Sequence, residues 1–129
     1  MNEWKGLRED YKDYLGFVYR ITNTTNGKYY IGLKLFYHKK TLKPLKGRKN
    51  KRRRLVESDW STYYGSCASL LEDIELLGEE NFDRQILHHC KSKFDCAYNE
   101  LLEQISNDVL FDIKSYNGII NVRLSRKKR

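Results

Sequence analysis

Chemically capable side chains are spread unevenly along this chain of 129 residues. Between residues 14 and 56 stand thirteen lysines and arginines and no carboxylate, whereas residues 57–122 hold thirteen carboxylates and four basic residues. A block of cations favours phosphate backbones, because displacing condensed counterions drives the association. A solvated arm or an anionic membrane surface would use the same charges. Among the carboxylates, Glu100 is the one with a chemical prospect. Magnesium takes oxygen ligands and keeps several waters, so one well-placed carboxylate suffices to hold it. Taken as a helix, the segment around Glu100 centres its apolar stripe on Phe94, Tyr98, Leu101 and Ile105. Glu100 then falls on the flank of that stripe, where a side chain can line a cleft, and Glu103 lies nearly opposite, in solvent. His88-His89-Cys90 with Cys96 offers zinc donors but lacks a paired Cys-x-x-Cys spacing. In a strand, His88 and Cys90 share one face and His89 points to the other, so packing is the expected role. Cys67 reads as a small core residue at a helix start.

The elements that must position these groups follow from local pattern. Trp4, Leu7, Tyr11 and Tyr14 recur at three- and four-residue spacing, which predicts a short N-terminal helix. Phe17 to Thr22 is β-branched and aromatic, Asn26-Gly27 is a hairpin turn, and Lys28 to Gly32 is the returning strand. Residues 37–54 read as a long loop or arm, with Pro44, Gly47 and Arg52-Arg53-Arg54; a loop of that length is functional or mobile. Ser66 is placed to cap a helix bearing Leu70, Leu71, Ile74 and Leu77, which Gly78 ends. Asn81 to Cys90 predicts a third strand. Ser92-Lys93-Phe94-Asp95 has capping-box spacing and opens the helix of Glu100. Residues 108–113 predict a helical turn, and Tyr116-Asn117-Gly118 a turn before Ile119 to Val122.

Composition sets the outer bounds. Hydrophobic residues make up 40% and aromatics 13% of the chain, enough for a core and against wholesale disorder. The net charge is +8. No apolar run reaches the roughly 18 residues of a membrane helix, so no membrane span is expected. The first fifteen residues are too charged for a signal peptide, and three cysteines fit a reducing compartment, so an intracellular, cytoplasmic protein is expected.

The hairpin carries a recognisable pattern. Phe17-Val18-Tyr19, ten residues, then Tyr30-Ile31-Gly32 resembles the paired signature of the GIY-YIG nucleases, and Asn23, Asn26, Gly27 and Lys28 resemble that family's turn. Tyr64-Gly65-Ser66, Gly78 with Asn81-Phe82, Glu100 and Tyr116-Asn117 follow in the family's order over roughly residues 16–121. Glu57-Ser58-Asp59-Trp60 with Tyr63 to Ser66 looks most like phage-encoded, Seg-type free-standing endonucleases of homing-like character, which would place the protein in a host-cell cytoplasm. The chain departs from the pattern in having Phe-Val-Tyr as its first triplet and Lys40 near the position of the family arginine.

The resemblance implies an α/β (α+β) fold: a small three-stranded, mainly antiparallel sheet flanked by helices. It divides the chain into a helical extension (1–15), a nuclease domain (16–122) with a basic arm (34–56), and a basic tail (123–129). It implies a divalent-metal-dependent endonuclease that hydrolyses DNA phosphodiester bonds with Mg²⁺ or Mn²⁺. Tyr19 would polarise or deprotonate the attacking water, Tyr30 would position water or phosphate, and Glu100 would hold the metal. Asn117, with Asn121 as fallback, would support the site by hydrogen bonding. The cation that stabilises the phosphate is sought in Lys34 or in the arginine cluster at Arg53, with His38 as an acid or phosphate contact. Lys39, Lys40, Lys43, Lys46, Arg48, Lys49, Lys51, Arg52 and Arg54 would hold the DNA backbone. A non-catalytic nucleic-acid-binding protein on the same scaffold, or a structure-specific or RNA-directed nuclease, are the competing readings.

Overall fold

The computed structural model describes residues 3–50 and 52–126. Its framework is a four-stranded sheet in the order β1-β6-β2-β3. The strands are β1 (Trp4–Lys5), β2 (Gly16–Asn23), β3 (Tyr29–Leu35) and β6 (Phe82–Cys90), and β2 pairs antiparallel with both β3 and β6. The three antiparallel strands are those the sequence predicts. The two-residue β1 adds a parallel edge against β6. The turn between β2 and β3 is closed by Asn23 and Lys28 (N···O 2.7 Å), and only Gly27 takes positive φ (+78°).

Alternation along β2 divides the core in two. Phe17, Tyr19 and Ile21 face a first cluster with Trp4, Phe36, Trp60, Leu70, Ile74, Phe82 and Ile86; α1 (Ala68–Leu77) contributes Leu70 and Ile74. Val18 faces a second cluster with Tyr29, Ile31, Cys90, Cys96 and Val109, where α2 (Lys93–Ser106) contributes Cys96. On β6, His88 pairs with Glu103 on the α2 side, and His89 stacks near Phe36 on the other, as alternation requires.

Several expectations are corrected. The N-terminal segment is not a helix. Trp4 sits in a strand, and only a 3₁₀ turn, Tyr11–Asp13, follows. The three- and four-residue spacing arises because Trp4, Leu7, Tyr11 and Tyr14 all pack on the first cluster from an irregular wrap. The arm is not a loop. Strands β4 (Tyr37–Leu42) and β5 (Arg52–Glu57) pair antiparallel from Tyr37↔Glu57 to Leu42↔Arg52, and Lys34 belongs to β3 rather than to the arm. Finally, α2 is rotated from the expected face. Cys96 and Gln104 are buried, Glu100 is half-buried, and Tyr98 and Ile105 are 51% and 57% exposed. The inward face is the i, i+4, i+8 row 96–100–104. It is polar because the helix lies along β3, whose free edge needs hydrogen-bond partners: Gln104 Nε2 donates to the Ile31 carbonyl at 3.2 Å. Glu103, expected in solvent, is half-buried and meets His88 Nε2 at 3.0 Å. Residues 108–113 form turns rather than helix, with Asp108 at φ 51°, and 119–122 have no regular structure.

The predicted cap of α2 is present: Ser92 Oγ accepts from the Asp95 N–H at 3.1 Å. The predicted cap of α1 is not. The N-cap is Cys67, without a side-chain bond, and Ser66 stands one residue before it. Replacing Ser92 by alanine removes the bond that starts the helix of Glu100. It is expected to cost about 1 kcal/mol, measured as a shift in urea midpoint at unchanged m-value.

Candidate functional site

The β2–β3 register sets Tyr19 opposite Gly32 and Ile21 opposite Tyr30, so the two phenols are diagonal neighbours on one face. The Tyr19 side chain crosses Gly32. A Cβ at position 32 would lie 2.5 Å from the Tyr19 hydroxyl oxygen, so only glycine fits there. Gly65, at φ +91°, brings its backbone against the same hydroxyl. Tyr19 also lies at an irregularity in the pairing of β2 with β6, where Val18 pairs with His88 but Tyr19 with Ile86. Such bulges re-aim side chains beside functional sites.

The segment before α1 closes over the pair. The Tyr63 ring meets that of Tyr19 edge-on, with centroids 6.0 Å apart, and Ser66 neighbours the Tyr30 phenol. Lys34, on the same face of β3 as Tyr30 and Gly32, holds its ammonium 4.0 Å from the centre of the Tyr63 ring and 2.6 Å from Asp59 Oδ1. Beneath this segment, buried Arg84 donates to the carbonyls of Ser61 (3.1 Å) and Tyr63 (2.8 Å). From sequence, Tyr63 entered only within the run Tyr63 to Ser66, with no role at the site, and Arg84 was not singled out. Tyr63 had a signal, its place just before Tyr64-Gly65-Ser66; Arg84 had none, since one arginine in a strand is ordinary.

Glu100 stands half-buried on α2, which packs along β3. Among the described residues it has no ion pair or hydrogen bond, and burial raises its pKa. Its charge also raises both phenols, as a shared low-dielectric surrounding requires. For Tyr19 burial is the largest cause, lifting the phenol well above 10; for Tyr30 burial again leads. The Asp59 carboxylate is held low by the Lys34 hydrogen bond.

Asn117 is buried and closes the free edge of β3. It accepts from the Ile31 N–H at 3.0 Å and donates to the Ile31 carbonyl at 2.8 Å. Its own backbone N–H is held by Ser115 Oγ at 2.9 Å. Its carboxamide thus fixes the strand between Tyr30 and Gly32. His38 stands at the base of the β4–β5 ribbon, where its charge acts on Asp59. Arg53 is exposed further out, opposite Thr41, and the structure does not bring it to the phenols. Lys39, Lys40, Arg52 and Arg54 lie on the ribbon, and Lys43, Lys46, Arg48 and Lys49 in its tip, all exposed. Lys51 and residues 127–129 of the tail lie outside the described residues.

Among those residues no group of three histidine, cysteine, aspartate or glutamate side chains is disposed to hold a metal ion. The donor set at the site is instead one unpaired carboxylate with phenol oxygens nearby, which fits a hard divalent cation that completes its shell from water and substrate. Cys90 and Cys96 are both buried in the second core, where the Cys90 thiol points to the His88 carbonyl at 3.9 Å.

The family model described as "Putative endonuclease segE, GIY-YIG domain" matches residues 1–120. The chain belongs to the SegE GIY-YIG family. This GIY-YIG domain is a nuclease domain, and the mixed sheet with two α-helices is consistent with that fold. No curated protein and no solved structure gives a significant match. No helix among the described residues is long and apolar enough to cross a membrane.

Two predictions test the geometry. Gly32→Ala forces a methyl into the place of the Tyr19 hydroxyl and is expected to cost about 1–3 kcal/mol by overpacking, read by denaturant unfolding. Glu100→Gln removes a charge that burial disfavours. The folded-state pKa of Glu100 lies above its ordinary 4.5, so its share of stability is present at low pH and lost as pH rises through the folded value. The variant should therefore melt above wild type at pH 7, and the gap should close below about pH 4, followed by thermal melts across the pH range.

Proposed function

We propose that this SegE-type domain is a divalent-metal-dependent DNA endonuclease whose reacting groups are Tyr19, Tyr30 and Glu100. The observation that carries the reading is the unpaired, half-buried Glu100 carboxylate whose charge is felt by both phenols. Glu100 would hold Mg²⁺ or Mn²⁺, which when bound supplies positive charge to the phosphate and the leaving oxygen.

The phenols divide the remaining work. With its pKa raised by burial, Tyr19 keeps its proton at neutral pH. This supports orienting and polarising water by hydrogen bonding over taking its proton. Tyr30, half-buried beside Ser66, is the more open of the two and fits contact with water or phosphate. Lys34 is the cation nearest these groups, carried on the same strand face; Asp59 holds it in place until a phosphate oxygen competes for it. Asn117 acts on Tyr30 through the backbone of Ile31 and is a positioning residue.

Nicking of supercoiled plasmid with Mg²⁺, with and without EDTA, tests the reading. Wild type should cut only with metal. Glu100→Ala should abolish cutting while keeping DNA binding, and Tyr19→Phe and Tyr30→Phe should slow it by about 10²-fold or more. A wild type that binds DNA but never cuts, across metals and across linear, branched and RNA substrates, would make the chain a binding module on a nuclease scaffold.

A further inference from the structure

We infer that the β4–β5 ribbon is a DNA-reading element that enters the major groove beside the cleavage site. The inference rests on the nuclease reading above and adds the surface by which the substrate is recognised.

Each strand of the ribbon has six residues, about 20 Å at about 3.4 Å per residue. The register sorts its cations onto two faces. His38, Lys40, Arg52 and Arg54 share one, and Lys39 and Arg53 the other. From Lys39 to Thr41 and from Arg52 to Leu55 every residue is exposed, so neither face is used by the body of the protein. An isolated two-stranded hairpin is marginal in water, and this one carries like charges opposite each other at Lys40↔Arg54. Its partner must therefore be a polyanion. A ribbon lying along one phosphate backbone would need cations on one face only. Cations on both faces match phosphates on both sides, the arrangement inside a groove. The major groove, about 12 Å wide, admits a two-stranded ribbon, whereas the minor groove, about 6 Å wide, does not.

The root of the ribbon ties it to the chemistry. Only Phe36 separates β3 from β4, and Phe36 is fully buried. Ser58, just past β5, donates through N–H to the Phe36 carbonyl (2.8 Å) and through Oγ to the Leu35 carbonyl (2.6 Å). Trp60 Nε1 donates to Glu57 Oε1 at 2.9 Å. Lys34, beside Tyr63, is thus only a few residues from the first ribbon cation, His38. With its root clamped, the ribbon fixes how far from the cut the groove is read. Arg53, which the structure keeps away from the phenols, takes its role here, since a guanidinium can read guanine in the major groove bidentately.

Full-length protein binding to duplex DNA is measured against methyl green, which blocks the major groove, and netropsin, which blocks the minor. Methyl green should displace the protein and netropsin should not. A triple variant, Arg52→Ala with Arg53→Ala and Arg54→Ala, should make the salt dependence of log K shallower by about 1.8, through the loss of Arg52 and Arg54 from phosphates, and through the loss of Arg53 erase sequence bias around mapped cut sites. Should the triple variant misfold by circular dichroism, Thr41→Glu, an exposed mid-ribbon change, should weaken binding severalfold. Displacement by netropsin, by both ligands or by neither overturns the inference, as does an unchanged salt slope. The two readings fail separately. Cutting without methyl green competition removes the ribbon's role and leaves the nuclease. Competition without cutting under any metal does the reverse.

Discussion

Tyr19 and Gly32 occupy one space between them, and that steric fact ties register to chemistry. The phenol needs the room a side chain at position 32 would fill, with a Cβ there only 2.5 Å from its oxygen. A one-residue slip of β3 would bring Ile31 or Leu33 opposite Tyr19 and also turn Tyr30 to the far face of the sheet. The β2–β3 pairing is therefore specified twice, by the hydrophobic alternation and by this missing side chain. Gly65 presses on the same oxygen from the other side. The hydroxyl is thus boxed in by two backbones, while the Tyr63 ring meets that of Tyr19 edge-on.

The free edge of β3 is the second constraint. An unpaired edge carries unmet backbone groups that must be covered. Asn117 and Gln104 cover Ile31 here, and in doing so they decide how α2 lies. A helix that must present Gln104 to the strand edge also presents Glu100, one turn earlier on the same row. The carboxylate is half-buried because an edge-covering helix cannot turn it outward without releasing the strand. Its desolvation is a local cost of the kind that folds sustain at functional sites, and it keeps the charge unshared and available to a cation.

These relations explain what the sequence disclosed. The hairpin, the Ser92 cap and the opposite faces of His88 and His89 were legible because each depends on neighbours within a few residues. The face of α2 was not. Its apolar residues, Phe94, Tyr98, Leu101 and Ile105, form a plausible stripe, but the strand edge required polar groups, and a long-range need outweighed the local pattern. The N-terminal aromatics misled for a related reason: a wrap around a core can repeat at helical spacing without being helical. The ribbon was hidden by its charge, because strands usually announce themselves through alternating apolar residues and this one has almost none. Ser66, a serine just before a helix, has the look of a cap, yet the helix begins one residue later with Cys67 as its N-cap.

Charge segregation completes the logic of approach. The acidic residues of the body are distributed over α1, the turn before β6 and α2, whereas the cations gather on the ribbon and its tip. A polyanion is repelled from most of the surface and drawn to one side, where the potential steers it before any contact forms. Glu57 and Asp59, set at the ribbon's root, are the exceptions, and of the two it is Asp59 that meets a cation. It pairs with Lys34 and gives that cation a fixed position with its charge partly neutralised. On the proposed reading, an arriving phosphate would replace Asp59 without Lys34 having to be ordered anew. The same strand that holds Tyr30 and Gly32 delivers this lysine and then runs on into the ribbon, so substrate capture and the arrangement of the reacting groups are consecutive stretches of one backbone.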